Sequence, residues 1–149
     1  MRKSTVKTFL MLLLAFIIGF SSVTVTVSAA SMTTKEKAQQ KKQAKKFNKH
    51  LKKYFTDDDS WDYEIKYKNK KNRYEFTMIC TSKQVSKETA EAVSTQLHNK
   101  MLIALRNISN NQYKVAKKTY KLKKPIMYVI WMSSDGYQMA KFKNGKQLE

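Results

Sequence analysis

The chain has 149 residues, of which 30 are Lys or Arg and 11 are Asp or Glu, so its formal charge is +19 at pH 7. Such a charge exceeds what solubility requires and favours polyanionic partners, although it says little about the fold. The single cysteine, Cys80, excludes an intramolecular disulfide, so the fold must depend on its core or on a partner. The sequence contains no P-loop, GxSxG, HExxH or dinucleotide fingerprint, which argues against many enzyme classes.

The first thirty residues have the organisation of a secretory signal peptide, with a basic front, an apolar run and small residues at the cleavage position. The basic residues are Arg2, Lys3 and Lys7, the apolar run covers 9–20, and cleavage is expected after Ala29 or Ala30. A retained anchor is the alternative, since 9–30 is uncharged and just long enough to span a bilayer. Cleavage leaves one small domain, 31–149, which loses three positive charges to become +16 and is secreted or associated with the cell surface.

The first predicted helix covers 34–55. Thr33 and Glu36 form a capping box at its start, in which each side chain satisfies a backbone amide of the other. The residues before Ala44 have little apolar surface to bury, so 31–43 can fray or project into solvent. The apolar positions that follow helical spacing are Ala44, Phe47, Leu51 and the pair Tyr54 and Phe55.

Two strands follow, over 61–68 and 74–80, because apolar and polar residues alternate there. A polar turn at 69–72 joins them into a hairpin with one aromatic face. Cys80 belongs to that face and is interpreted as a small buried hydrophobe. The aromatic face is interpreted as core, with a base-stacking platform as the alternative, and includes Tyr63, Tyr67, Tyr74 and Phe76.

A second helix is predicted over 86–108 and is expected to end in the polar run 107–111. Residues 114–124 then form a basic connector or edge strand, with a short strand near 113–115. The run 126–132 is apolar on both faces and belongs in the centre of a sheet, and a last strand covers 137–143. The order αββαββ predicts an α+β fold with two helices packed on one face of a small antiparallel sheet. The apolar stripe of the second helix consists of Ala90, Val93, Leu97, Met101, Ala104 and Ile108.

Lysines concentrate on one side of the first helix and in the connector, and these positions are the candidate binding residues. Only Arg73 and Arg106 remain as arginines after cleavage, and lysine suits diffuse, salt-sensitive attraction better than bidentate readout. The expected partner is an anionic envelope polymer or a membrane surface, with nucleic acid as a weaker alternative. The ten candidates are Lys42, Lys45, Lys46, Lys49, Lys53, Lys117, Lys118, Lys121, Lys123 and Lys124.

The sequence therefore predicts a non-enzymatic exported binding module without a cofactor or a metal. One alternative is a small hydrolase or nuclease in which an acid cluster acts with His50 or His98. The cluster lacks the glycine and ligand spacing of a calcium loop, so turn formation is its simpler interpretation. A further alternative is a membrane-active protein or an antagonist of one, because the first helix is basic and amphipathic. The acids of the cluster are Asp57, Asp58, Asp59 and Asp62.

Overall fold

The computed structural model describes residues 32–70, 73–92 and 95–148. The predicted signal peptide therefore lies outside the described residues, as does Val93 of the predicted helical stripe. The helices are α1 (Thr34–Tyr54), α2 (Lys87–Ala92) and α3 (Thr95–Lys118). The strands are β1 (Trp61–Lys70), β2 (Arg73–Ser82), β3 (Pro125–Met132), β4 (Gln138–Lys143) and β5 (Lys146–Leu148).

The five strands form one sheet in the order β1-β2-β3-β4-β5. The central pair, β2 and β3, is parallel, whereas the other three pairs are antiparallel. The fold is thus α+β as predicted, but the prediction of a purely antiparallel sheet is wrong. The helical segment between β2 and β3 is a crossover connection, which is what two parallel neighbours require.

The helical part of the middle segment ends later than the predicted helix over 86–108. Helix is described over Lys87–Ala92 and Thr95–Lys118, so α3 extends ten residues further than predicted. The polar run 107–111 therefore lies inside α3 and the expected strand at 113–115 is helical. The reason is that α3 buries polar side chains against the sheet: Ser109 is 0 % exposed, and its hydroxyl donates to the Met127 carbonyl at 3.2 Å.

The chain also continues past β4 into a fifth strand. Asn144 and Gly145 both have positive φ, of 51° and 83°, which is the backbone of a tight hairpin turn. Gly145 packs so closely on α3 that a Cβ there would lie 2.6 Å from the Cβ of Asn110. The hairpin is tied to α3 by the Ser109 hydroxyl, which accepts from the Gly145 amide, and by Arg106, which donates to the Gly145 carbonyl.

Both long helices contact the same face of the sheet, which we call the covered face. Phe47 of α1 meets Phe76 edge to face at 4.8 Å between centroids, and His98 of α3 lies 5.4 Å from Trp131. The strand register places Phe76 and Trp131 on one side. This side holds the core, and its buried strand residues are Tyr74, Phe76, Met78, Cys80, Met127, Val129, Trp131, Ala140 and Phe142.

Along β2 and β3, the residues between those of the covered face point to the opposite side of the sheet, which we call the open face. Ile126 at one end of this face is buried, and the other side chains are half-buried, in contrast to the full burial of Met78 and Val129. The prediction that 126–132 lies in the sheet centre is confirmed, since β3 is the third of five strands. The open face consists of Glu75, Thr77, Ile79, Thr81, Ile126, Tyr128, Ile130 and Met132.

Candidate polyanion-binding surface

The five candidate lysines of α1 project from the side of the helix that faces solvent. The buried stripe of α1 consists of Gln40, Ala44, Phe47 and Leu51. At about 100° of rotation per residue, the lysines fall within an arc of roughly 100° opposite that stripe. All five are exposed: Lys42, Lys45, Lys46, Lys49 and Lys53. The helix begins with the predicted capping box, in which Thr33 and Glu36 exchange hydrogen bonds of 2.8 and 3.2 Å.

The basic connector runs beside α1 and is attached to it by one glutamine. The side chain of Gln40 donates to the Lys121 carbonyl at 2.9 Å and accepts from the Lys123 amide at 2.7 Å. The Lys123 ammonium also lies 3.3 Å from the Glu36 carboxylate. The connector, more than sixty residues from α1 in sequence, is therefore attached to the helix on the side of its buried stripe, whereas the five α1 lysines lie on the opposite side.

Within the connector, apolar and basic side chains alternate. Tyr120 packs its ring against Phe47 and His50, at 5.2 and 5.7 Å between centroids, and Leu122 is buried. Lys121 and Lys124 adopt left-handed backbone with φ of 52° and 53°. The turn at Lys121 lets the Leu122 amide bond to the Ala116 carbonyl. The connector candidates are all exposed: Lys117, Lys118, Lys121, Lys123 and Lys124.

Acidic residues neutralise little of this surface. Of the ten candidates, only Lys123 is ion-paired within the part of the chain that the structure describes. Hydrogen bonds from the Thr33 backbone and Lys123 lower the pKa of Glu36, so this carboxylate stays charged where α1 meets the connector. Lys53 and Lys117 lie over the rings of Tyr54 and Tyr113, at 5.9 and 5.5 Å. The lysine surface, defined as these ten residues, is thus a patch of excess positive charge.

The acid cluster at 57–62 organises the turn that leads into β1. Asp58 accepts from the amides of Ser60 and Trp61, both at 2.8 Å, and Asp57 accepts from the Tyr63 amide at 2.7 Å. Asp62 pairs with Lys83 at 2.9 Å, and this hydrogen bond raises the pKa of Lys83. Among the described residues, no three His, Cys, Asp or Glu side chains come together as metal ligands would.

The two histidines and the cysteine occupy separate apolar surroundings. His50 lies among the rings of Phe47, Tyr54 and Tyr120, and desolvation lowers its pKa. His98 contacts Trp131. Cys80 is buried as predicted, and burial raises the pKa of its thiol to about 12, which disfavours the thiolate. The hydrogen bonds and ion pairs of the described chain join neither histidine to an acid of the cluster.

The aromatic residues considered as a stacking platform lie on the covered face. Phe76 and Tyr74 are 0 % and 3 % exposed, and Tyr67 stacks on Phe76 at 5.2 Å. Burial raises the pKa of Tyr63, Tyr67 and Tyr74, as expected for hydroxyls partly withdrawn from water. Phe76 packs against Phe47 of α1, and Tyr63 and Tyr67 are half-buried beside other rings, which favours the interpretation as core.

Sequence reasoning missed Gln40, the residue that attaches the connector to α1. A glutamine four residues before Ala44 is not distinctive in sequence, and its partners are 81 and 83 residues away. The available signal was spacing, since Gln40 continues the stripe of Ala44, Phe47 and Leu51 by one turn.

No protein-family model, curated protein or solved structure matches this chain. Within residues 32–70, 73–92 and 95–148, no helix combines the length and apolar character needed to cross a bilayer.

Proposed function

We propose that this protein is an exported, non-enzymatic module that binds anionic polymers of the cell envelope through its lysine surface. The observation that carries the proposal is the attachment of the connector to α1 by Gln40 and Glu36. This attachment fixes the basic connector beside the lysine-bearing helix, and all ten candidate lysines are exposed. The leader-like residues 1–30 and the formal charge of +19 support export and an anionic partner.

The chemistry of the lysine surface favours affinity without sequence readout. Lysine ammonium groups are hydrated point charges on flexible stems, so they attract phosphate or carboxylate groups without fixing their orientation. Binding to a chain of such groups is driven by counterion release, and the logarithm of the affinity then falls linearly with the logarithm of the salt concentration. A polymer with closely spaced charges is therefore a better ligand than a single small anion.

Co-sedimentation with isolated cell envelopes, intact or stripped of their anionic polymer, tests the proposal across a salt series. The full chain is expressed and its N-terminus determined by mass spectrometry, which also tests leader cleavage. We expect binding to intact envelopes at low salt and loss of binding after stripping or at high salt. Binding indifferent to both treatments would contradict the proposal.

Two variants with equal net charge test whether binding depends on the lysine surface or only on the total charge of the chain. The first replaces the five α1 lysines by Gln, and its salt slope should fall by up to about 4.5, if each contact contributes about 0.9 as on a duplex polyanion. The control replaces five exposed lysines elsewhere by Gln and should retain most of the slope. Equal losses would show that binding depends on net charge alone. The control positions are Lys66, Lys68, Lys70, Lys87 and Lys146.

A third variant, Gln40→Ala, leaves every charge in place. It removes both hydrogen bonds that hold the connector against α1, so the two lysine groups no longer share a fixed arrangement. We expect weaker envelope binding at constant net charge, by a few-fold. Unchanged binding would mean that the two groups act independently.

A further inference from the structure

The turn between β4 and β5 contains the one Asn-Gly dipeptide of the sequence, at Asn144 and Gly145. In a flexible chain, the backbone nitrogen that follows an asparagine can attack the side-chain carbonyl carbon of that asparagine. A glycine at the second position reacts most readily, because it has no Cβ to hinder the approach and its backbone is permissive. The attack forms a carbon–nitrogen bond, releases ammonia and closes a succinimide ring, which water then opens to aspartate or isoaspartate.

In the folded chain, both reacting groups are held by other partners. The nucleophile is the Gly145 nitrogen, which is buried and donates to the Ser109 hydroxyl at 3.0 Å. This nitrogen must lose its proton to react, and a buried amide anion would lack the solvation that water gives it. The other reacting group is the Asn144 side-chain carbonyl, whose oxygen accepts from the Met127 amide at 2.8 Å. The reaction therefore requires the turn to leave these partners.

The hairpin of β4 and β5 is a small unit that can separate from α3 on its own. β5 is three residues long and is the outermost strand of the sheet. The turn is attached to α3 by the bond to Ser109 and by Arg106, which donates to the Gly145 carbonyl at 3.1 Å. Short segments at the edge of a structure open with a smaller free energy than the whole fold.

We propose that Asn144 and Gly145 form a modification site that the fold protects, and that local opening of the hairpin exposes this pair to deamidation. The reactant besides the chain is water, and the products are ammonia and an aspartyl or isoaspartyl residue at position 144. Because opening is much faster than deamidation, the rate of modification follows the fraction of chains whose hairpin is open.

The product cannot return to the native hairpin when isoaspartate forms. Isoaspartate adds one methylene to the backbone of the turn, whereas Lys143 pairs directly with Lys146 across two turn residues. The turn also has no room to shift, since even a Cβ on Gly145 would lie 2.6 Å from the Cβ of Asn110. Chains that react while open therefore accumulate with β5 detached from its place beside α3.

Mass spectrometry of the full chain, incubated either folded or in guanidinium chloride at the same mildly alkaline pH, tests the proposal. Samples are quenched in acid and digested with pepsin, because the amide nitrogen is not nucleophilic at acid pH. The segment that contains Asn144 gains mass when its amide becomes an acid, and chromatography separates aspartate from isoaspartate. We expect the folded chain to deamidate at least about tenfold more slowly than the unfolded chain. Equal rates would overturn the proposal, because the fold would then give no protection.

Two variants distinguish opening of the hairpin from unfolding of the whole chain. Ser109→Ala removes the acceptor of the Gly145 amide and should speed deamidation of the folded chain about 5- to 30-fold. Ile79→Ala lowers the stability of the sheet in β2, two strands away from β4, and should leave the rate of the folded chain unchanged. In guanidinium chloride both variants should react as fast as the wild type, since the dipeptide itself is unaltered.

Two results with the variants would also overturn the proposal. If folded Ser109→Ala deamidated no faster than the wild type, the bond to Ser109 would not protect the site. If Ile79→Ala were accelerated as much as Ser109→Ala, only unfolding of the whole chain would expose the pair. Circular dichroism before incubation checks that each variant is folded. None of these results bears on envelope binding, because the inference does not depend on the lysine surface.

Discussion

The covered and open faces of the sheet are built from the same two central strands but differ in how completely their side chains are buried. Met78 and Ile79 are neighbours in β2, yet Met78 is 0 % exposed while Ile79 is only half-buried. In β3, Val129 and Ile130 show the same contrast. On the covered face α1 and α3 complete the burial, whereas on the open face the chain leaves apolar atoms in contact with water.

The covered face contributes to the stability of the fold, whereas the lysine surface is proposed to bind a partner. The covered face holds the core together, and five lysines of the lysine surface project from the outer side of α1, which covers it.

The largest expected effect compares Met78→Ala with Ile79→Ala. The two side chains are similar in size, but Met78→Ala leaves a cavity in the core and should cost about 3–4 kcal/mol of unfolding free energy. Ile79→Ala should cost about 1 kcal/mol at low protein concentration, because its side chain gains less from burial. Urea unfolding monitored by circular dichroism measures both values. Equal losses would mean that the two faces are equally buried in the folded chain.

The next largest effect on stability is expected in the hairpin between β4 and β5, which packs against α3. Gly145→Ala combines the cost of positive φ with a 2.6 Å contact to Asn110 and should destabilise the fold by about 2–3 kcal/mol. Gly136→Ala is the matched control, because it has φ of 85° and no atom within 4 Å of the added Cβ. It should cost only about 1 kcal/mol. Similar losses in the two variants would show that backbone conformation alone, and not the contact with α3, requires Gly145.

Much of the covered face and of the helix that packs on it could be predicted from the sequence. Alternation predicted the hairpin of β1 and β2 and the burial of Cys80, and helical spacing predicted α1 with its exposed lysines. Alternation gives no information on which strands pair when they are distant in the chain. The same residue patterns suit parallel and antiparallel neighbours, so the parallel alignment of β2 with β3 was missed.

The end of α3 was missed for a different reason. Ser109 and Gln112 are polar, so a hydrophobic stripe drawn through Ile108 stops before them. The burial of Ser109 is supported by tertiary partners, since its hydroxyl bridges the Met127 carbonyl and the Gly145 amide. The attachment of the connector by Gln40 follows the same rule, since its partners are remote in sequence. Buried polar side chains with distant partners are where sequence pattern gives least information.

A smaller effect is expected at Ser109 itself. Ser109→Ala leaves the buried Gly145 amide without its partner and should cost about 1–2 kcal/mol in the same urea assay. Ser134 is exposed, and Ser134→Ala should stay within about 0.5 kcal/mol of the wild type. If Ser109→Ala were as stable as Ser134→Ala, the hydroxyl bridge between α3 and the hairpin would contribute nothing.

The smallest effect is a pH dependence at His50, where α1, the connector and the covered face meet. Desolvation, and secondarily the charge of Lys53, lower the pKa of His50 in the folded chain, so the folded state holds its proton less tightly than the unfolded state. Stability should therefore fall as the pH drops below the unfolded value of about 6.5 and level off below the folded pKa. His50→Phe keeps a ring among Phe47, Tyr54 and Tyr120 but cannot titrate. Its urea midpoint should change less than that of the wild type between about pH 7.5 and 5.5, a window that avoids the carboxylates. Parallel pH profiles for the two proteins would mean that His50 stays solvated beneath the lysine surface.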